Sequence, residues 1–469
     1  MEADMSKNAL VIGVTGITGN NIAHELQKKG FTVYGLSRKP GIIVPGVKHV
    51  YGDVLDPASV KAAVADLPIT HLFFCTWSRQ NTEKENIAVN GAMLQNTLDA
   101  FAQKRTLEHT VLITGLKHYL GPFESYAATP METPFKESQA RLPIDNFYYT
   151  QEDILFKAAK EQGFTWSVHR PHTMIGWALG NAMNMGVTLS VYASICKETG
   201  APFIFPGSKE QYNGVTDVTD ARLLARHAVW SATDPAGKNE AFNTVNGDVF
   251  RWRQLWKLIA EYFGVTDPGY PAEFSPLEPR MANADAEWEK IVTKYGLKPH
   301  KASEIASWWH SDADLGRQVE TFADMGKSRK AGFREVQVTP DSFFDLFEQL
   351  RAEKIMQDRL FKHPKIEMLW NSEVTEVLGT ENPASVTAVR TRNLLTNEVK
   401  DIPCHGFFVA IGHAPASELV KDQLPLHNGG YVQVEAGSTR TAIPGVFAAG
   451  DLTDHVYRQA VTSAGMGCM

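Results

Sequence analysis

The chain has 469 residues, 43% hydrophobic and 21% charged, proportions that exclude a disordered, collagenous or coiled-coil protein. Its 53 acidic against 46 basic residues give a net charge of −7, so it carries no basic footprint for nucleic acid. At roughly 150 residues per domain the length predicts two or three domains. The four cysteines, Cys75, Cys196, Cys404 and Cys468, form no CxxC pair, which argues against a zinc ribbon, a redox dithiol or a disulfide framework. No metal site is expected. No stretch reaches the ~20 apolar residues of a membrane span. Glu2 and Asp4 precede the first apolar run, unlike a signal peptide. The expectation is a soluble cytoplasmic protein with no nucleic-acid or membrane partner.

Along the chain, residues 9–13 form an unbroken apolar run, the pattern of a strand buried on both faces of a parallel sheet. A glycine-rich turn follows, then a helical period over 20–29 with Ile22, Ala23 and Leu26, closed by Gly30. Further strands are predicted at 31–36, 71–75, 110–114 and 166–169, and helices at 57–66, 87–104 and 151–162. Strands alternating with helices predict an α/β Rossmann fold, a doubly wound parallel sheet. Beyond Pro171 the regularity fades and aromatics gather at Trp252, Trp256, Trp288, Trp308 and Trp309, as expected of a smaller helical portion over the sheet, serving as core and pocket wall. Near 350–355 the character changes. The remainder alternates Val and Thr and predicts strands at 374–377, 385–390, 406–412 and 431–434. The expected division is 1–355, with a nucleotide-binding core over about 8–175 and a substrate-binding portion over about 176–355, followed by 356–469.

The turn from Gly13 to Gly19 has glycines at 13, 16 and 19, a GxxGxxG spacing, between a buried strand and a helix. That context suits a dinucleotide pyrophosphate on the helix N-terminus, with Gly13, Thr15, Gly16, Ile17 and Gly19 around it; a merely tight strand–helix connection is the alternative. At the end of the second strand an NAD site keeps an acid for the ribose hydroxyls, whereas Ser37, Arg38 and Lys39 stand here. Arg38 can grip a 2′-phosphate through paired N–H donors, which points to NADPH; a solvated pair of surface charges is the other reading. Asp53 suits either an adenine contact or a helix cap.

Short-chain dehydrogenases usually carry Tyr-x-x-x-Lys on one helix. Tyr148 and Tyr149 precede the predicted helix, but Glu152 and Asp153 occupy the positions four further on. A lysine appears instead at Lys117, just past the 110–114 strand, where ligands of open α/β sheets bind. A phenol and an ammonium there can stabilise an oxyanion formed from a carbonyl. Tyr148 and Tyr149 as core aromatics and Lys117 as a surface charge is the plain alternative. His118 is a candidate to polarise the site, or a structural loop histidine.

These residues carry a resemblance. The 13–19 turn, Thr76-Trp77, the Thr114–Tyr119 segment with Gly121 to Phe123, Asn146 to Tyr149 with Glu152-Asp153, the 165–171 segment, 239–248 and Trp308-Trp309 resemble the progesterone 5-beta-reductase/iridoid synthase family over roughly 8–355. The resemblance implies Tyr148 as catalytic tyrosine and Lys117 as its lysine, with Thr76 and Trp77 near the cofactor. It implies hydride addition from NADPH to the β-carbon of an enone or enal, with Tyr148 and Lys117 stabilising the enolate. Phe123, Met174, Met183 and Met185 are candidates for an apolar pocket wall, or for plain core. Partners reduce to a small-molecule enone, with a homodimer left open. A carbonyl reductase or epimerase/dehydratase of the same fold and a non-catalytic NADP-binding sensor are the rival readings.

The tail resembles another family. Phe407 to Pro415, Gly445 to Asp451 and Tyr457 to Met469 are similar to the C-terminal flavin-binding motifs of bacterial thioredoxin reductases, which implies for Asp451 a contact to FAD. The flavin GxGxxG, the second nucleotide fingerprint and the CxxC dithiol of that family are all missing here. A site assembled from distant segments cannot form from one of them, so neither bound FAD nor disulfide reduction is expected of the tail.

Overall fold

The computed structural model describes residues 7–122, 132–178 and 183–362, the last twelve of these as backbone only. It also describes 369, 372–381, 384–393, 396–406, 420, 423–427, 431–435, 438–444, 446–448 and 453. The chain divides into two compact units, Met1–Arg359 and Leu360–Met469.

In the first unit β1 (Asn8–Ile12) leads into α1 (Ile17–Lys28), β2 (Thr32–Ser37), β3 (Lys48–Tyr51), α2 (Pro57–Ala63), β4 (His71–Phe74), α3 (Glu83–Ala102) and β5 (His109–Ile113). Then come α4 (Lys117–Leu120), α5 (Phe147–Gln162), β6 (Thr165–Pro171), β7 (Met174–Ile175), β8 (Thr219–Asp220) and β9 (Glu240–Thr244). The main sheet has the order β3-β2-β1-β4-β5-β6-β9, all parallel. The first six strands repeat the 3-2-1-4-5-6 order of dinucleotide-binding sheets. Alternate residues explain the unbroken apolar strands: Leu10, Ile12, Leu72 and Phe74 pack under α3 and α5, while Ala9, Val11 and Phe73 pack against α1 and helix Ala221–Thr233. The order reverses between β1 and β4, which opens a crevice at their carboxyl ends.

A second core holds Tyr192, Phe203, Phe205, Trp252, Trp256 and Phe343, contributed largely by helices Met185–Thr199, Trp252–Phe263 and Thr339–Lys362. The tryptophans of that expected patch therefore divide: Trp252 and Trp256 are core, Trp288 and Trp308 only partly buried.

Four histidines, His71, His109, His169 and His227, are buried beside the sheet. His109 bonds Thr165 and Ser167; Ser167 bonds Ser231; His169 bridges Ser231 and Thr244; and Thr244 reaches His227. These partners are hydroxyls, so a protonated ring would have no counter-charge. Burial lowers His71 to about 4 and His109 and His169 to about 3, and lowers His227 well below its ordinary value. The fold therefore holds the neutral rings, and its stability is full above pH 6.5, the ordinary histidine value. Stability falls with pH below that value, because the unfolded chain takes up protons the folded chain refuses. His71, His109 and His169 should each remove on the order of 1–2 kcal/mol by about pH 5. The urea midpoint should drop steeply over that interval, and less so in His169→Gln; a midpoint flat with pH would refute this account.

The second unit contains an antiparallel sheet of Ser372–Glu381, Ala384–Asn393 and Val399–Pro403, and a pair, Leu426–His427 with Tyr431–Val432. The predicted 406–412 strand lies almost wholly outside the described residues. Arg390 pairs with Glu376 and Asp401, and Arg392 with Glu373. Val374, Val377 and Val399 are exposed, and the apolar cluster among the described residues is small, built on Leu424, Val432 and Ala448.

Candidate active site

The crevice at the strand ends is a cleft of about 330 Å³. Gly13, Thr15, Gly16 and Ile17 line it from the glycine turn, Thr76 and Trp77 from beyond β4, Lys117 from beyond β5 and Tyr148 from α5. Gly13 has φ +78°, and a Cβ there would sit 2.9 Å from the Thr76 Cβ. At Gly19 a Cβ would lie 2.2 Å from the Gly13 carbonyl oxygen, so only glycine lets α1 start against β1. No side chain caps the first turn of α1, whose N-cap is Gly16. Free N–H groups behind a glycine turn at the switch point are a cradle that fits a dinucleotide pyrophosphate.

Beyond the turn, the Gly13 N–H donates to Leu36 O, which brings the end of β2 beside it. Arg38 and Lys39 follow, exposed and without an ion-pair partner among the described residues; the Ser37 hydroxyl donates to Lys39 O. Asp53 accepts from the Leu55 N–H in a turn that precedes α2, whose N-cap is Asp56.

Tyr148 and Lys117 come together through Asn146. Its side-chain carbonyl accepts from the Tyr148 N–H at 2.9 Å, capping α5, while its amide donates to Lys117 O at 2.6 Å. Tyr148 thus lies inside the first turn of α5, which starts at Phe147 and not at 151 as the sequence suggested. The Lys117 ammonium stands 5.2 Å from the Trp77 ring and 5.5 Å from that of Phe147, and those rings stack on one another. The Tyr148 hydroxyl passes so close to Gly115 that a Cβ there would lie 3.2 Å from it.

Glu152, one turn after Tyr148, is buried elsewhere. Its Oε1 lies 3.1 Å from Arg170 Nη2, and its Oε2 lies 2.8 Å from Arg141 Nη2. Burial alone would raise this carboxyl, but His118, Arg170 and Arg141 together bring it down to about 2. His118 Nδ1 stands 3.2 Å from Glu152 Oε1, and burial lowers its pKa in spite of that carboxylate. His118 therefore does not polarise the cleft, as the sequence had allowed; it packs beneath it. Tyr149 is likewise structural, donating to His118 O at 2.6 Å.

Met174 and Met183 line the cleft. Met185 is a correction: it is 1% exposed and packs in the helical core, because it opens helix Met185–Thr199 with Asn184 as cap. Phe123 and Asp451 lie outside the described residues. The cleft also has lining residues that sequence reasoning missed: His172, Thr173, His310, Asp314 and Arg317. His172 and Thr173 follow β6 directly, where the strand-end rule points; His310 and Asp314 come from the distant helix Trp308–Leu315 and Arg317 from just beyond its end, with no motif of their own.

Two family models match the chain. The PRISE-like Rossmann-fold domain matches residues 43–357, and the pyridine nucleotide-disulphide oxidoreductase family matches 334–467. The chain is 42% identical over 364 residues to an (S)-8-oxocitronellyl enol synthase of Nepeta cataria, covering 74% of this chain and 92% of that protein. It is 40% identical over 361 residues to a 3-oxo-Delta(4,5)-steroid 5-beta-reductase of Arabidopsis thaliana, again 74% and 92%. A UDP-glucose 4-epimerase structure from Thermotoga maritima superposes with a TM-score of 0.53 at 14% identity, covering 74% of this chain and 99% of that one, and shows the shared fold. With its sheet order, its glycine cradle and the Tyr148–Lys117 pair, the chain belongs to the PRISE-like family of Rossmann-fold proteins, related to iridoid synthases and progesterone 5-beta-reductases.

Proposed function

We propose that this protein reduces the activated C=C bond of enones or enals with NADPH. The observation that carries the reading is the pairing of Tyr148 and Lys117 in the glycine-turn cleft, while Glu152 is engaged by two arginines at the usual lysine position. The relatives' names, a reductase of 3-oxo-Delta(4,5)-steroids and a synthase of an enol, point the same way.

A bound nicotinamide dinucleotide supplies the hydride. Tyr148 donates a hydrogen bond to the substrate carbonyl oxygen, and the Lys117 ammonium adds a positive field on the same side. Negative charge grows on that oxygen only as the β-carbon is reduced, so fixed donors there lower the barrier more than they tighten binding. A proton from water then adds to the enolate at its α-carbon, which completes the reduction. Arg38, exposed at the end of β2, is the group for a 2′-phosphate and makes NADPH the preferred cofactor.

The test is nucleotide oxidation with cyclic and acyclic enones, enals, simple ketones and a disulfide. Enones and enals alone should be turned over, faster with NADPH than with NADH. Arg38→Glu should weaken NADPH roughly 10- to 100-fold and NADH far less, the loss of a charge-assisted contact. Reduction of ketones alone would make the protein a carbonyl reductase, and an unchanged preference in Arg38→Glu would remove Arg38 from the cofactor site.

A further inference from the structure

One wall of the cleft is polar in a way the reduction of an enone does not need. Helix Trp308–Leu315 turns His310 and Asp314 toward the cleft, one turn apart, and Arg317 follows just beyond its end. Thr173 meets them from the end of β6. Its hydroxyl donates to Asp314 Oδ2 at 2.8 Å, and Arg317 Nη2 pairs with Asp314 Oδ1. The Arg317 and Asp314 side chains are 5% and 9% exposed. Around them the cleft is lined by the apolar Trp77, Leu116, Met174 and Met183.

A buried ion pair is costly unless its remaining hydrogen-bonding groups are satisfied. Here they are not. Arg317 has five N–H donors. Beyond the bond to Asp314, its two Nη atoms reach, among the described residues, only the Thr173 hydroxyl, each at 3.4 Å. Arg317 Nε and His310 Nδ1 are buried with no partner among the described residues. The wall thus has polar nitrogens without a partner among the described residues, and Asp314 answers the guanidinium charge.

We propose that Thr173, His310, Asp314 and Arg317 form a second recognition point in the cleft, which takes a neutral acceptor oxygen, a hydroxyl or carbonyl, on the substrate away from its enone. The inference rests on the enone reading of the same cleft. Thr173 and Asp314 position the guanidinium, and Arg317 and His310 touch the oxygen. A substrate that is hydrocarbon at this end leaves the donors unpaired and is selected against, the asymmetry by which hydrogen-bonding sites discriminate most strongly. A carboxylate is disfavoured because it would face Asp314 across the guanidinium.

Binding tests this apart from turnover. Straight-chain saturated ketones of graded length, ending in methyl, hydroxyl or carboxylate, are titrated by calorimetry into the protein with oxidised NADP present. At the best length the hydroxyl member should bind at least about tenfold more tightly than its methyl counterpart. The ratio should fall towards one in the double variant Asp314→Leu/Arg317→Met, which removes both charges together. Thr173→Val serves the same purpose should the double variant fail to fold. Equal affinities in the unaltered protein, or a ratio kept in the folded variants, overturns the proposal. Tightest binding by the carboxylate member overturns it in favour of an anion site. If the binding ratio holds while enones are not reduced, the enone reading fails and the recognition point stands.

Discussion

Tyr148→Phe should lower kcat/KM for enone reduction by a hundred- to a thousand-fold, the cost of removing one oriented donor from a developing oxyanion. The substitution deletes only the hydroxyl. The ring keeps its place beside Phe147, and the Asn146 cap bonds the Tyr148 backbone N–H, so folding and NADPH affinity should be unchanged. Lys117→Met keeps an aliphatic stem beside Trp77 and Phe147 and loses the charge, and its effect should fall mainly on kcat. In the proposed mechanism both groups serve one oxygen. The double variant should therefore cost less than the sum of the two single losses. Steady-state rates with an enone, alongside NADPH titration, check all three; normal turnover in both single variants would remove the pair from catalysis.

Glu152→Ala should be the most damaging substitution for stability. It would leave Arg170, 6% exposed in its side chain, without its carboxylate, and Arg141 without one of two. Breaking one side of such a buried arrangement costs roughly 3–5 kcal/mol. The denaturant midpoint should fall with little change in slope. Glu152→Gln should recover part of the loss, because an amide oxygen still accepts from one guanidinium. In the native protein the Glu152 carboxyl stands near 2 against an ordinary 4.5. Its contribution is therefore present above pH 4.5 and lost as pH falls towards 2, below the interval where the histidines act. A variant as stable as the parent would mean that the arginines find other partners.

What was legible in the chain follows physical lines. Strands β1, β4, β5 and most of β6 are buried on two faces and read as apolar runs, and β2 is half-buried but still apolar; β3, β9 and the two-residue β7 and β8 carry no such run. β3 is an edge strand with a half-exposed pattern. β9 reads as polar because Asn243 and Thr244, buried in it, bond Tyr119 and the His169–His227 chain. The helix start at Phe147 was masked by three aromatic residues in a row, although Asn146, its cap, stood in view. Residue type points Met185 to the pocket, but the helix that opens at Met185 turns it into the core, while Met183, just before the Asn184 cap, lines the cleft.

By itself the sequence determined the parallel sheet, the glycine turn and the basic end of β2. Each is a local pattern: two-faced burial makes apolar runs, a positive φ demands glycine, and strand ends are where such sheets bind ligands. The tertiary structure decided which charges meet. Glu152 faces Arg141 and Arg170, Lys117 stands by Trp77, and Asp314 and Arg317 join Thr173 from far along the chain. Contacts between residues so distant in sequence leave no periodicity or spacing, because they arise only when the small helical portion closes over the sheet. The length that first predicted two or three domains thus resolves into a catalytic unit whose cleft draws on residues from 13 to 317, and a second unit with a small apolar core among its described residues.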